Sequence, residues 1–504
     1  MIDLKKKISE FDFLLNKKLK FLFLLNFLFM LLVSFFEVIG IGSIFIFIGT
    51  ILDPSKFLAK YDDFSIASYI INLDDQSRLL ILSIFLIVFF IIKGLVLFLS
   101  QYTSSKFTYG AKLNISTKLF EGYLKKDYIF HLNYNPSLLN QRIINETNHA
   151  VMYMEWFLKF INSIILTLAI LIILLYGSSQ VGILNILLVI LVILISKYLL
   201  KNTIKKRSEI RNANDVELFK TIQHAFGSFI ETVLFKKELF FVKYFNKYLK
   251  GREIQIFFLS VVNSLPKILL EILLITILGL FFIFFVKTSE NLISVLPLLT
   301  LIVVSLIRLM PALQQLMLSI NQLKFLSVGK EIVLSDIKSI SKDKINFHEK
   351  KNIKKIDYKE LINIQNVSFK YDNTDKSVLR NINLQIKSGE KIAIIGSSGS
   401  GKSTLVKVLT GLLRPSTGNI YVDKLPIFEN LKSWQSIISY IPQDIYLIDD
   451  TVENNITFST DNDAVDKTWL DEVLKLSNIF EDVYSLKNKT KTLVGNRGIR
   501  FSGG

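Results

Sequence analysis

No cysteine occurs among the 504 residues, so disulfide pairing and any chemistry that needs a thiolate are excluded. That absence says little about compartment. The features of a cleavable leader are lacking as well. The basic segment over residues 1–20, with Lys5, Lys6, Lys7, Lys17, Lys18 and Lys20, does not run into a short apolar core and a small-residue cleavage site. It runs into an apolar stretch from Phe21 to Leu52, about 30 residues and long enough to span a bilayer. No nucleic-acid-reading motif accompanies the net charge of +17. Much of that charge flanks apolar runs, where the positive-inside rule and anionic headgroups account for it, so no nucleic-acid partner is expected.

Apolar residues are what the chain has in excess. They make up 51% of it, and the mean hydropathy is +0.42, although 20% of residues are charged. The two populations are segregated: nearly all long apolar runs precede about residue 327, and the charged part follows. Six spans are expected, at Phe21–Leu52 and at about 79–101, 156–177, 181–200, 258–286 and 292–325. The segments 102–155 and 201–257 are rich in Lys and Arg, whereas the opposite connections are short or acidic, with Asp53, Asp62, Asp63, Asp74 and Asp75 in the first. Both termini are therefore expected in the cytoplasm. The two basic connections have helical periodicity and few breakers, which predicts helices continuing beyond the bilayer. Residues 54–76 interleave aromatic and aliphatic residues with charges and read either as an interfacial amphipathic helix or as a polar loop.

Five charges fall inside the expected spans: Glu37, Lys93, Lys267, Glu271 and Arg308. Charges at that depth usually meet a partner or a wet cavity. Lys267 and Glu271 lie one turn apart and satisfy each other. Arg308 has no local acid, so either it pairs with Glu37 or it faces a cavity and an anionic substrate. Residues 328–360 read as a linker without a span. A soluble domain is expected over 361–504, with strands at Leu361–Tyr371 and Val378–Ile386.

The stretch that organises this domain is Gly396-Ser397-Ser398-Gly399-Ser400-Gly401-Lys402-Ser403-Thr404. The run Lys391–Ile395 before it reads as a buried strand, and Leu405–Leu409 after it turns helical. Strand, glycine loop and helix form the context in which G-x-x-x-x-G-K-[ST] becomes a phosphate site. Glycines let successive N–H groups point inward, and the helix N-terminus adds its positive end. Lys402 is placed to reach the outer phosphates, and the Ser403 hydroxyl to hold Mg²⁺. A nucleoside triphosphate with Mg²⁺ is the expected ligand.

Further features follow in the order an ATP-binding cassette requires. Tyr371 lies about 25 residues before the loop, Ser439-Tyr440-Ile441-Pro442-Gln443 matches a glutamine loop, and Gly495-Asn496-Arg497-Gly498 precedes Phe501-Ser502-Gly503-Gly504. Over the whole chain the pattern resembles an ABC exporter half-transporter of the type IV fold: a six-span helical bundle followed by a partial α/β P-loop nucleotide-binding domain. The resemblance implies that Tyr371 stacks on adenine and that Gln443 touches Mg²⁺ and the attacking water. It implies that Ser502, Gly503 and Gly504 begin a signature, with Phe501 where the family has Leu. It also implies a dimer of two such chains, each gripping ATP between one chain's glycine loop and the other's signature. The turns near 128–137 and 226–239 become coupling helices that dock on the cassettes.

The family's Walker B strand, catalytic Glu and switch His have no counterpart up to Gly504, so no catalytic residue is assigned and the chain alone is not expected to turn over ATP. Two accounts stand open, a fragment of a longer frame or a truncated product. Glu37 in Phe35-Phe36-Glu37, the outer segment after it, Arg308-Leu309-Met310-Pro311, and Ile441-Pro442-Gln443 with Asn454-Asn455-Ile456-Thr457-Phe458 are similar to bacterial flippases for lipid-linked oligosaccharides. Such a likeness implies residence in the bacterial inner membrane and a lipid-linked glycan as substrate. A lipid A, phospholipid or peptide exporter is the nearest alternative. A non-hydrolysing ATP-binding regulatory membrane protein is the alternative from another class.

Overall fold

The computed structural model describes residues 4–52, 73–177, 183, 186, 190, 203–288, 292–348, 355–371, 374, 376–443, 445–458 and 465–495. It divides into two compact units, Met1–Asn352 and Ile353–Gly504. The first is built of helices: α1 Leu4–Leu14, α2 Lys17–Leu52, α3 Asp75–Leu124, α4 Tyr128–Asn133, α5 Pro136–Gln141, α6 Thr147–Gly177, α7 Thr203–Gly227, α8 Phe229–Leu234, α9 Glu238–Thr288 and α10 Leu292–His348. A π-helical turn, Arg142–Glu146, joins α5 to α6.

Length follows from composition. A bilayer crossing needs about 20 apolar residues, but α2 has 36 and α3 has 50, so each rod continues past its apolar part. Among the described residues four helices are long and apolar enough to cross a membrane: Lys17–Ile51, Gln76–Leu124, Pro136–Ile173 and Glu238–Ile272. Most of the span expected at 181–200 and most of the segment at 54–76 lie outside the described residues. On α3 the exposed Leu80, Ile84, Ile87, Ile91 and Leu95 recur every three or four residues, so one bare face suits hydrocarbon rather than water. Asp74 starts that helix by accepting the N–H of Ser77.

The main core gathers below the apolar parts. Phe107, Ala111, Ile115 and Leu119 form one stripe of α3, four residues apart. Ala150, Val151, Met154 and Phe157 of α6 meet it, as do Val333, Leu334, Ile337 and Ile340 of α10. The segment 328–360, expected as a linker, is thus helical through His348, and its apolar residues recur with a helix's period. Residues 1–20 do more than carry charge. Phe11 and Leu14 of α1 are buried in this core, with the Phe11 ring edge-on to Tyr153 and Phe157. Glu10 pairs with Lys330 at 2.7 Å.

The charges inside the spans resolve in part. Glu37 pairs with Lys93 of the second expected span at 2.8 Å, a partner that sequence reading does not name. Packing of α2 against α3 brings those side chains to one level, something sequence spacing cannot show. Lys267 and Glu271 pair as expected, at 3.8 Å. The Arg308 side chain lies outside the described residues.

The second unit holds a four-stranded antiparallel sheet, in the order β2-β1-β3-β4, from β1 Leu361–Phe369, β2 Leu379–Lys387, β3 Thr417–Val422 and β4 Leu425–Pro426. Ile364 pairs with Leu384 on one side and Ile420 on the other, so β1 is central. A bulge follows Ile364, and there Gly418 is tight: a Cβ on it would lie 2.3 Å from the Asn366 carbonyl oxygen. Helices α11 Lys402–Leu409, α12 Leu431–Gln435, α13 Val452–Thr457, α14 Lys467–Leu476 and α15 Phe480–Ser485 complete the unit. Val452, Leu470, Leu474, Val483 and Val494 form a separate small core.

The start of β1 is pinned by one carboxylate. Asp423 accepts the backbone N–H groups of Lys359, Glu360 and Leu361 at 2.6, 3.0 and 2.8 Å. Those bonds hold its pKa below the ordinary 3.8, the N–H of Lys359 foremost. A carboxyl depressed on folding adds stability that is complete above its unfolded pKa and lost as pH falls through the folded one. Amide exchange at Leu361 is therefore expected to accelerate as pH drops below 3.8. The Asp423→Asn variant should exchange faster at neutral pH and lack that extra acceleration. An unchanged profile in the variant counts against the pin.

Candidate functional site

The glycine loop is shaped by two residues no side chain could replace without strain. Gly399 and Gly401 sit at φ +80° and +95°, the left-handed region. Gly401 is also hemmed in: a Cβ there would lie 3.1 Å from the Val378 carbonyl oxygen. Helix α11 begins directly after it, with the N–H of Leu405 donating to the Gly401 carbonyl at 2.8 Å. The helix's first N–H groups consequently have no intrahelical partner and face the loop. Gly396, Ser397, Ser398 and Ser400 complete the curl, which is exposed along its length. The N–H of Ser400 donates to the Ser397 carbonyl.

Lys402 bends back over this curl. Its ammonium donates to the Gly396 and Ser397 carbonyls, at 2.8 Å each, and no described carboxylate pairs with it. A cation held by neutral carbonyls alone, beside amides with left-handed geometry, is a donor set that fits an anion with several oxygens. Ser403 is exposed next to it, and Thr404 is buried. The Tyr371 hydroxyl lies 3.3 Å from Thr404 Oγ1, so the structure brings the aromatic to the first turn of α11. Its ring stands edge-on to Phe369.

Other expected members are not assembled. Gln443 is exposed, and among the described residues no bond joins it to Ser403. Ser502, Gly503 and Gly504 lie outside the described residues. The run Lys391–Ile395, expected as a buried strand, joins no sheet ladder among the described residues, and Ile395 is 92% exposed. The physical reason is hydrogen bonding: a strand exists only through neighbours, and no described strand lies beside this run. Ile441 and Tyr446 are bare in the same way. Among the described residues no cluster of three or more His, Asp or Glu could hold a metal.

Two supports escape sequence reading. The Trp434 indole N–H donates to the Leu409 carbonyl at 2.8 Å, and Gln435 donates to Thr410 at 3.3 Å. Both satisfy carbonyls at the C-terminal end of α11, fixing from below the helix that carries Lys402. A buried tryptophan needing an acceptor was the available signal.

In the helical unit, the expected coupling segments form two short helices. In α4, Phe130 stacks on Tyr123 and on Tyr134. In and around α8, Phe226, Phe229, Ile230, Leu234, Phe235 and Leu239 are each more than half exposed.

Residues 379–504 match the sequence model of the family described as ABC transporter. An uncharacterized ABC transporter ATP-binding protein of Bacillus subtilis is 37% identical over 144 residues, 28% of this chain and 25% of that protein. An ATP-dependent lipid A-core flippase of Coxiella burnetii is 35% identical over 144 residues, 28% of this chain and 24% of the flippase. A multidrug resistance-like ATP-binding protein of Buchnera aphidicola is 31% identical over 175 residues, 33% and 29% of the two chains. The matched part thus spans about a quarter of these relatives' length. A solved bacterial Atm1-family ABC exporter with ATP bound superposes with a TM-score of 0.70 at 17% identity, covering 97% of this chain and 82% of that one.

Proposed function

We propose that this chain, which has the fold of an Atm1-type ABC exporter, is one half of an ATP-driven membrane exporter whose cargo is a lipid-linked molecule, most specifically a lipid-linked oligosaccharide. The observation that carries the reading is the glycine curl closed by the Lys402 ammonium at the start of α11. Loop amides and Lys402 hold the phosphates, the Ser403 hydroxyl and Gln443 hold Mg²⁺, and Tyr371 stacks on the base. Bound ATP supplies the phosphoryl bond whose cleavage drives export. Two chains pair, so that the segment Ser502–Gly504 of one completes the loop of the other. The bare apolar tip around α8 serves as a docking surface for the partner chain in that dimer. The bundle lies in the bacterial inner membrane with both termini cytoplasmic.

A relative named as a lipid A-core flippase supports a lipid cargo. The relative named as multidrug resistance-like favours an amphiphilic drug instead. Membranes holding the chain are expected to retain radiolabelled ATP, and those holding Lys402→Ala to retain at least about tenfold less, the loss of one charge-assisted phosphate contact. Equal retention ends the nucleotide reading. Cargo is tested separately, by whether a polyprenyl-linked sugar, and not lipid A, binds the purified chain. Preference for lipid A overturns the oligosaccharide assignment alone.

A further inference from the structure

Helix α11 has only eight residues, so the partners of its last carbonyls decide how firmly it holds the glycine curl at its other end. A helix leaves its final four carbonyls without intrahelical donors. The turn after α11 serves three of them: the N–H groups of Thr410, Leu413 and Gly411 donate to Val406, Lys407 and Val408 at 2.9, 3.0 and 3.1 Å. The fourth, Leu409, accepts from the Trp434 indole of α12 at 2.8 Å, and Gln435 beside it serves Thr410. Gly411 permits this close approach. It sits at φ +72°, and a Cβ there would lie 2.3 Å from Leu431 Cδ1 at the start of α12. At 1.5 Å per residue, Leu409 lies about 10 Å from Lys402, a distance over which a helix moves as a rod.

The residue before the tryptophan makes a second tie. Ser433 Oγ accepts the backbone N–H of Ile356 at 2.7 Å. Ile356 is 1% exposed and lies three residues beyond Ile353, where the second unit begins. It therefore belongs to the stretch through which the chain enters the cassette. A little further on, Lys359, Glu360 and Leu361 are bonded to Asp423 and not to α12. At its near end α12 is anchored to β4, for Asn430 donates to the Pro426 carbonyl at 3.3 Å. A pull on Trp434 consequently acts against a fixed end and reaches Ser433 through one planar peptide unit.

Phosphate binding would supply such a pull. The Lys402 ammonium donates to the Gly396 and Ser397 carbonyls. A phosphate chain draws that ammonium off those carbonyls, and the curl and the first turn of α11 resettle around the anion. A ligand shifts a structure only through contacts that differ between two arrangements, and the contacts of Lys402 are the ones that differ here.

We propose that Trp434 and Ser433 form a relay, by which nucleotide held in the curl is felt at Ile356 and so along the chain arriving from the helical unit. Trp434 is a positioning residue, acting on the phosphates only through α11. The relay rests on the nucleotide-binding reading of the glycine curl given above.

Hydrogen exchange of the full chain in lipid nanodiscs, resolved to single amides by mass spectrometry, tests it with and without a saturating non-hydrolysable ATP analogue. Titration calorimetry on the same samples measures the binding itself. In the wild type, saturation should slow the Ile356 amide at least about threefold and change the Leu361 amide, held by Asp423, by less than about 1.5-fold. General tightening of the cassette would slow both. Trp434→Phe keeps the ring but lacks the N–H; it should bind about two- to tenfold more weakly, the loss of one hydrogen bond. At saturation its Ile356 response should fall below about 1.5-fold. Ser433→Ala should bind as the wild type does and leave Ile356 fast with or without the analogue. Ser433→Thr, which keeps the acceptor, should restore the wild-type response. Binding without a response at Ile356, an equal response at Leu361, or a full response in Trp434→Phe overturns the relay and leaves nucleotide binding standing. If the wild type takes up no analogue, the nucleotide reading and the relay fall together. Should Trp434→Phe not fold, the serine variants decide: a response lost in Ser433→Ala and regained in Ser433→Thr supports the relay, and the same response in both overturns it.

Discussion

Replacing Gly401 with alanine is expected to weaken nucleotide binding about 100-fold while leaving the helical unit intact, a loss of about two decades on the affinity scale. At φ +95° an L-residue is already strained, at a cost of about 1–2 kcal/mol. The added methyl must also face the Val378 carbonyl oxygen at 3.1 Å, Val378 Cγ1 at 3.3 Å and Leu379 Cδ2 at 3.2 Å. None of these can swing away freely, because Val378 leads into β2 and Leu379 is part of it, at 4% exposure. If the backbone instead relaxes out of the left-handed region, the N–H groups of Lys402 and Ser403 turn with it and the curl opens. Either route removes about 3 kcal/mol from the bound state, and about 1.4 kcal/mol is one decade of affinity. Gly389 supplies the comparison. It has φ +79° with nothing within 4 Å of an added methyl, and it lies outside the loop. Gly389→Ala should carry strain alone and leave affinity unchanged. Titration calorimetry with the non-hydrolysable triphosphate distinguishes them, and Gly401→Ala binding within about threefold of wild type would falsify the role assigned to this glycine.

Why is that loop legible when the strand before it is not? The loop's instructions are local. Glycines at fixed offsets, then Lys402-Ser403-Thr404, specify a turn and the start of a helix through backbone geometry alone. β1 and β2 are legible for a similar reason: their alternation survives without knowledge of partners. Lys391–Ile395 has the same apolar signature, but a strand is a relation between segments, and its pairing partner is not written in its own residues. The exposed Ile395 shows how little the run's hydrophobicity decides by itself. In the helical unit, spans can be read from length and charge. The pairing of Glu37 with Lys93 cannot, because it depends on which faces of α2 and α3 meet. The burial of Phe11, Leu14 and Leu15 leaves a readable trace, spacing of three and four residues, which the neighbouring lysines obscure.

The substitution expected to damage the helical unit most is Gly329→Ala. Alanine is ordinarily the better helix former by about 0.5–1 kcal/mol, so propensity alone predicts a gain inside α10. Position decides otherwise. The new Cβ would lie 2.2 Å from Glu146 Oε2 and 2.8 Å from His149 Cβ. The carboxylate cannot rotate into water, since Glu146 is 0% exposed, and it is tied to Gln141, His149 and Arg211. Moving it strands Arg211 in the interior, and breaking one side of a buried charge pair costs about 3–5 kcal/mol. The net expectation is a loss of about 3 kcal/mol, read as a lower thermal midpoint of the helical unit in detergent. Gly94→Ala isolates the propensity effect, for nothing lies within 4 Å of that position in α3, and it should hold or slightly raise the midpoint. Adding Glu146→Ala to Gly329→Ala removes the obstructing carboxylate and makes room for the new methyl. It also leaves Arg211 facing Asp215 alone, so the double variant should recover only part of the loss. Full recovery would mean that α6 and α10 are held apart by bulk rather than joined through charge. A midpoint unchanged in Gly329→Ala would mean that the two helices do not approach as closely as the glycine demands.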